Sequence, residues 1–336
     1  IRVSLSGVSP EDVEITLSAA RDLGLSITPR GTGTSLAGQA TAPGLVLDVS
    51  EMRRALEIDL EGRRCVVEPG LVQGELNAMV EPHGLVFGAD TSTSDVATLG
   101  GMVGNNSAGM RSLVYGMTSD QVLGLRCVLA SGETVELSPL GREEARGRAR
   151  HADALARLLR GAMEIGDRYN DEIKRRFPKM IRRVSGYGLD ALVDPETLDL
   201  TRLICGSEGT LAVITRAEFR LHPLPEARAL ASFEFDSLSA AASATRRFIE
   251  TDPSAIEMLD DVADIVDRQR ESGSRTADVP GRRRPGRARR PREQRRQADG
   301  GRESRGPERR AADRHLHGQH RGDVPDHQGG AAAPAG

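Results

Sequence analysis

The sequence predicts an α+β fold whose loops grip one large ligand, and three observations carry that prediction. Short apolar runs flank tight polar turns, as antiparallel hairpins require. Capped, one-faced helical stretches stand between these runs instead of alternating strictly with single strands. Three separated clusters of Gly, Ser and Thr interrupt the pattern, at Pro29–Gly38, Leu99–Gly109 and Gly206–Leu211.

The elements follow in chain order. Ser9-Pro10-Glu11-Asp12 starts a helix: Ser caps, Pro fits the first position, and the acids favour the positive end of the dipole. Val13, Leu17 and Ala20 share one face, and Gly24 ends the helix. Leu25–Thr28 reads as a strand leading into the first Gly cluster, and Leu45–Val49 as another. Ala55–Asp59 and Arg64–Glu68 flank Leu60-Glu61-Gly62 as a hairpin. Gln73–Val80 is a helix stopped by Pro82 and Gly84. Gln121–Leu129 and Glu133–Leu137 form a second hairpin around Ala130-Ser131-Gly132. Helices are expected at 151–166 and 168–176, then strands at Thr210–Leu221 and Leu230–Phe235. Ser237 caps a helix to about Ile249, and Ala255–Gln269 carries one more apolar face.

Composition divides the chain. Residues 270–336 hold 17 Arg, no Lys and 9 acids, whereas residues 1–269 hold 29 basic and 40 acidic side chains. Beyond Ala, the aliphatic content of the last segment is Val279, Leu316 and Val324, too little for a core. Its Arg, Pro, Gly and Ala are residues of GC-rich codons, so it reads as a disordered tail, a shifted-frame translation joined near residue 270. Sequencing the nucleotides across that junction tests this. The absence of Lys and of aromatics to stack on bases weighs against a nucleic-acid arm. Cys65, Cys127 and Cys205 form no CxxC pair and read as buried structural thiols. No stretch approaches the roughly 18 apolar residues of a membrane span. With no signal peptide in view the expected compartment is the cytoplasm, and the start at Ile1 is expected to be that of a fragment.

The Gly clusters suit a phosphate-bearing cofactor, because glycine lets backbone N–H groups turn toward an anion at close range. Two familiar versions are excluded. Leu36 stands where a Rossmann fingerprint needs its third Gly, and no Gly-Lys-Ser/Thr ending follows the first cluster.

Taken together, Pro29–Gly38, Phe87–Thr93, Ala97–Gly109, Tyr115-Gly116 and Gly206–Thr215 resemble the FAD-linked oxidases with a PCMH-type (vanillyl-alcohol-oxidase-like) flavin domain. Within that family the chain is most similar to the branch that holds D-lactate dehydrogenase and the flavin-binding component of glycolate oxidase. Phe177-Pro178, Arg182–Tyr187 and Leu189-Asp190 resemble bacterial proteins that fuse the FAD domain to an iron–sulfur domain. The resemblance covers about residues 1–268. It implies an α+β FAD-binding domain of two subdomains over 1–223, the opening of a substrate (cap) domain over 224–269, and the tail 270–336.

The resemblance also implies roles. Arg30, Gly31, Thr32, Gly33, Thr34, Ser35 and Gly38 would hold the FAD pyrophosphate. Asp90, Thr91, Ser92, Thr98, Gly100 and Gly101 would flank the pyrophosphate and ribityl chain. Asn105, Asn106, Ser107 and Gly109 would run past the flavin ring, and Glu208, Gly209 and Ile214 would bracket the adenosine half. Several relatives tie the flavin to a His in the first loop. Here that position is Thr34 and no His lies between Ile1 and Glu81, so FAD is expected to bind non-covalently.

The implied reaction dehydrogenates a small D-2-hydroxy acid of the lactate, glycolate or 2-hydroxyglutarate type, with hydride passing to flavin N5. Full-length relatives add an iron–sulfur cluster and often a divalent metal, for which this chain has neither the Cys set nor the His motif. Arg182, Arg183 and Tyr187 are the nameable candidates near a substrate. The sequence names no electron acceptor. Two rivals stand beside this reading: a same-fold reductase of an enol ether in cell-wall synthesis (UDP-N-acetylenolpyruvylglucosamine-reductase-like), driven by NADPH, and a nucleic-acid binder using the Arg-rich tail. Among the histidines, His83 reads as a helix stop and His222 as a strand end. His315, His317 and His320 lack an apolar scaffold for a metal.

Overall fold

A computed structural model describes residues 2–4 and 9–259. The tail, His315, His317, His320 and most of the expected helix after Ala255 lie outside the described residues. In chain order the first elements are β1 (Arg2–Ser4), α1 (Pro10–Asp22), β2 (Ile27–Arg30), β3 (Leu45–Asp48), β4 (Ala55–Asp59), β5 (Arg64–Val67), α2 (Gln73–Val80) and β6 (Leu85–Val86). Next come α3 (Leu99–Asn105), α4 (Ser112–Tyr115), β7 (Val122–Leu129), β8 (Thr134–Leu137), β9 (Leu140–Gly141), α5 (Arg142–Arg148) and α6 (Ala154–Arg176). The last are β10 (Thr197–Leu198), α7 (Thr201–Ile204), β11 (Ala212–Arg220), β12 (His222–Pro223) and α8 (Leu238–Ile249).

Helix α1 begins as its sequence requires. The Ser9 hydroxyl accepts from the Asp12 N–H at 3.2 Å, and the Asp12 carboxylate accepts from the Ser9 N–H at 2.8 Å. Val13, Leu17 and Ala20 form its buried face. The helix joins a three-stranded parallel sheet of order β1-β3-β2. Parallel neighbours need a crossover, and residues 31–44 supply it between β2 and β3. The first Gly cluster therefore leaves the carboxyl end of a parallel strand, where open sheets of this kind present their ligand-binding loops.

The second sheet is antiparallel, of order β4-β5-β11-β7-β8. Both expected hairpins are present, and β11 fits between them, antiparallel to β5 and to β7. Successive residues of the central strands serve different cores, because side chains alternate across a strand. Val128 and Val213 pack with Val13, Leu17, Leu47, Val49 and Met52 under α1. Their neighbours Cys127, Ala212 and Ile214 pack into the larger core with Leu99, Met102 and Phe219. There Phe87 and Phe219 meet edge to face at 5.1 Å.

Three differences from the sequence expectation have physical causes. Strand β2 starts two residues late, at Ile27, because its pairing with β3 begins at Leu45. The two helices expected at 151–166 and 168–176 are, by contrast, both present within α6, which starts at Ala154 and kinks at Tyr169 (φ −113°, ψ 17°). The Leu99–Gly109 cluster is partly helical: α3 forms although glycine disfavours a helix interior by about 1 kcal/mol per position, since Leu99, Met102 and Val103 are buried. No named strand forms over 230–235 among the described residues, where Leu230 makes only a single β-bridge. Residues 255–259 are likewise not helical.

Candidate functional site

The carboxyl end of β2, the turn into α3, and the loop before β11 converge on a narrow cleft of about 110 Å³. Each wall depends on missing side chains. A Cβ on Gly31 would lie 2.0 Å from Thr98 Oγ1, and one on Gly100 would lie 2.5 Å from Pro69 Cβ. Gly209 (φ +77°) packs on Pro29, where a Cβ would approach Cγ to 2.4 Å. The glycines therefore do more than turn the chain: they let three backbones meet.

In the first loop Arg30 folds its guanidinium over Gly33. Its Nε is buried with no hydrogen-bond partner. The Thr32 hydroxyl donates to the Val96 carbonyl at 2.6 Å, which ties the loop to the turn before α3. Asn105, at the end of α3, donates from Nδ2 to Ser35 Oγ at 2.8 Å. Gln39 donates from Nε2 to Asn105 Oδ1 at 3.1 Å. The remaining Gln39 atom, Oε1, is buried and unpartnered. In the third loop the Glu208 N–H donates to the Gly104 carbonyl and the Gly206 N–H to the Val103 carbonyl, at 2.9 and 3.0 Å. These bonds dock the third loop onto α3.

Of the expected cofactor residues, the cleft is lined by Arg30, Gly31, Thr32, Gly33, Thr34, Ser35, Thr98, Gly100, Gly101, Asn105, Ser107, Glu208, Gly209 and Ile214. The structure places the others outside that lining. Asp90 holds the Arg111 guanidinium at 2.6 Å and accepts its backbone N–H at 3.1 Å. The Thr91 hydroxyl donates to Gln73 Oε1. Ser92 is exposed on the same turn, and Gly38 (φ +88°) on the loop after β2. Gly109 packs on the Asp90 carbonyl. Asn106 is buried in the left-handed conformation (φ +47°), donates to the Arg183 carbonyl and accepts from the Ser119 N–H. Its amide is thus fully engaged in holding the chain.

The three candidates near a substrate lie off the cleft. Arg182 donates to Ser112 Oγ at 2.6 Å and to the Gly109 carbonyl. Arg183 pairs with Asp190 and lies 4.8 Å from the Phe177 ring centre. Tyr187 and Thr210 share a hydroxyl hydrogen bond at 2.9 Å, which fastens this segment to the third loop. Arg183 is therefore paired with a carboxylate, while among the described residues Arg182 is held by neutral oxygens. Thr93, which closes the expected run Asp90–Thr93, lines the cleft, and Gln39 and Ser207 line it without having been assigned a role from the sequence. Gln39 carries no signal of its own in the sequence, being one polar residue after a glycine.

Among the described residues no group of His, Cys, Asp and Glu could hold a metal, and no helix is long and apolar enough to cross a membrane. Burial pushes the Cys65 and Cys127 thiols up to about 12, and raises Cys205 also. All three are inert core groups. His222 lies 4.9 Å from Tyr115 ring to ring and bonds Gln121 through Nε2.

Comparison with known proteins shows what the chain is similar to. Residues 5–138 match the family described as FAD binding domain. Over 239 residues the chain is 38% identical to D-2-hydroxyglutarate dehydrogenase of Pantoea ananatis (strain AJ13355), covering 70% of this chain and 23% of that protein. Over 254 residues it is 31% identical to glycolate oxidase subunit GlcD of Bacillus subtilis (strain 168), covering 74% and 43%. D-lactate dehydrogenase [cytochrome], mitochondrial, of Arabidopsis thaliana is 29% identical over 258 residues, covering 76% and 36%. A solved structure of alkyldihydroxyacetonephosphate synthase shares the fold, at TM-score 0.51 and 22% identity over 75% of this chain and 40% of that one. The chain thus spans about a quarter of the length of the D-2-hydroxyglutarate dehydrogenases it matches.

The cleft fits a flavin dinucleotide. Arg30 Nε and one end of the Gln39 amide are buried on residues that line the cleft and have no partner among the described residues. FAD carries partners for both, and Gly31, Gly33, Gly100, Gly101 and Gly209 leave part of the lining without side chains.

Proposed function

We propose, since this chain carries a PCMH-type FAD-binding domain, that it is the cofactor-binding part of an FAD-linked dehydrogenase acting on a small D-2-hydroxy acid. The observation that carries this reading is the cleft itself, lined by three distant Gly loops and by two residues with buried polar atoms that have no partner among the described residues. The relatives, named for D-2-hydroxyglutarate, glycolate and D-lactate chemistry, supply the substrate class.

FAD, when bound, supplies a two-electron acceptor. The chain's own residues bind and orient it. Arg30, the Gly31–Ser35 backbone and the Thr98 hydroxyl would meet the pyrophosphate, with charge-assisted bonds the stronger ones. Glu208, Gly209 and Ile214 would close the opposite wall. The Arg182 guanidinium, held by Ser112 and Gly109 and with no carboxylate partner among the described residues, would be the group that orients a substrate carboxylate. The substrate domain proposed to begin at Leu224 would supply the base that removes the hydroxyl proton.

Purified protein titrated with FAD tests the reading. We expect visible flavin absorption that stays with the protein through gel filtration and is released by acid precipitation, because Thr34 offers no imidazole for a covalent link. Protein that is folded but never takes up FAD contradicts the proposal. Anaerobic mixing then compares D-2-hydroxyglutarate, D-lactate, glycolate and NADPH. Bleaching by one of the acids supports the dehydrogenase, bleaching by NADPH alone supports the enol-ether reductase, and binding without bleaching locates the substrate groups outside this chain.

A further inference from the structure

We propose that the end of helix α6 and the loop after it form a docking surface for an anionic phospholipid bilayer, with Met180 and Ile181 entering the headgroup layer and Lys174 and Lys179 meeting the phosphates. This surface does not line the cleft, and the proposal does not depend on what the cleft binds.

The first observation is the charge pattern. Between Glu172 and Asp190 the chain carries Lys174, Arg175, Arg176, Lys179, Arg182 and Arg183 and no acid. Residues 1–269 as a whole hold 40 acids to 29 bases, so this is a positive stretch on a negative body. An anionic surface repels such a body except where the positive stretch leads. Helix ends do collect cations, because the dipole favours them there. That accounts for Arg175 and Arg176, which pair with Glu172 at 2.6 and 3.0 Å. It does not account for Lys179, which lies three residues past the end of α6. Lys174 and Lys179 are exposed, and neither ammonium has an ion pair or hydrogen bond among the described residues.

The second observation is apolar. Ile173, Phe177, Met180, Ile181 and Val193 line an open groove that Lys174 and Lys179 also line. Met180 and Ile181 stand directly between Lys179 and Arg182 in the sequence and are 62% and 64% exposed. The interface of a bilayer accepts this combination, with apolar side chains below the headgroups and lysines reaching up among them. The free cations decide between a bilayer and an acidic protein. A protein carboxylate has a fixed place, and the planar fork of Arg recognises it best. Here Arg175 and Arg176 are committed to Glu172, and Arg183 to Asp190. The unpaired groups are lysines, flexible point charges that answer to charge density more than to geometry, and a fluid headgroup layer offers density.

Flotation of the full chain with vesicles tests this, comparing phosphatidylcholine alone with phosphatidylcholine and phosphatidylglycerol in equal amounts. We expect binding to the mixed vesicles only. Lys174→Gln together with Lys179→Gln should weaken it roughly thirtyfold, and Met180→Ser with Ile181→Ser should weaken it as well. The chain has no Trp, so Met180→Trp places a probe at the contact itself, and its emission should shift to the blue when mixed vesicles are added. This separates the surface from residues 270–336, whose 17 Arg also attract an anionic bilayer. Flotation without a blue shift, or flotation that the lysine substitutions leave unchanged, assigns the binding to those arginines and overturns the proposal. Protein that floats with neither vesicle, or that leaves the mixed vesicles for soluble polyglutamate, overturns it too, the latter in favour of an acidic protein. Circular dichroism checks that each variant is folded, and the serine pair carries the test if the lysine pair is not.

Discussion

Gln121 fixes the protonation of its neighbour. Its Nε2 donates to the carbonyls of Tyr115 and Met117, so its Oε1 is an acceptor and His222 Nε2 must carry the proton that meets it. Burial holds the His222 imidazole below its ordinary value of 6.5, with the Arg220 charge adding to the effect. The folded state therefore refuses a proton that the unfolded chain accepts. His222 contributes no penalty above 6.5, and stability declines as pH falls below that value toward the lower folded-state value. Urea melts of wild type and His222→Gln between about pH 8 and 5 should show the shallower decline in the variant. A steeper decline in the variant contradicts the assignment. His222 also shows what single residues conceal. As the residue before Pro223 it reads as the end of the preceding strand, but that strand stops at Arg220, His222 opens β12 opposite Val86, and its side-chain partner lies 101 positions away. Gln39 is hidden for the same reason, since its meaning depends on Asn105 and Ser35. The first-loop glycines, by contrast, were legible, because close backbone approach admits few other residues.

Helix α3 gives the element scale its sharpest test. Gly100 donates its N–H to the Pro69 carbonyl at 2.8 Å, and a Cβ there would meet Pro69 at 2.5 Å from Cβ and 3.0 Å from the carbonyl oxygen. Gly104, one turn on, has nothing within 4 Å and lines the cleft. Gly100→Ala should destabilise the protein by about 1–3 kcal/mol through overpacking. Gly104→Ala should instead stabilise the ligand-free protein by up to about 1 kcal/mol, as alanine suits a helix better, yet weaken FAD by filling space in the cleft. Thermal melts with and without FAD check both. Two variants that behave alike would mean that α3 does not form the wall described. The hairpins were readable at this scale from their turns and alternation. Helix α3 was not, because Leu99-Gly100-Gly101-Met102-Val103-Gly104-Asn105 has the composition of a loop and is helical only through its buried contacts. Helix α5 escaped for the opposite reason: Arg142–Arg148 buries only Ala145 and so lacks an apolar period.

At the scale of the molecule, three thiols report on cooperativity. Cys65 lies on β5, Cys127 on β7 and Cys205 after α7, at 0%, 0% and 2% exposure. Burial raises each above the ordinary thiol range, so little thiolate forms at neutral pH. A thiol reagent should label none of them in the native protein, and in urea all three should react together with the loss of far-ultraviolet signal. Labelling of one site at low denaturant would reveal local opening there. The α+β class and the order of the Gly clusters were legible in the sequence because each cluster is a local signal. The separation of two cores by β7 and β11 was not, since it depends on which long-range strands become neighbours.

That neighbourhood has a consequence for biosynthesis. Strand β11 joins the β4–β5 and β7–β8 hairpins, yet it is made some 80 residues after β7. Until residue 220 has left the ribosome, both hairpins offer bare main-chain edges, the kind that nascent chains pair wrongly or surrender to chaperones. The same late strand carries Ile214 and one end of the cleft, so a growing polypeptide can close that cleft only after β11 has been made.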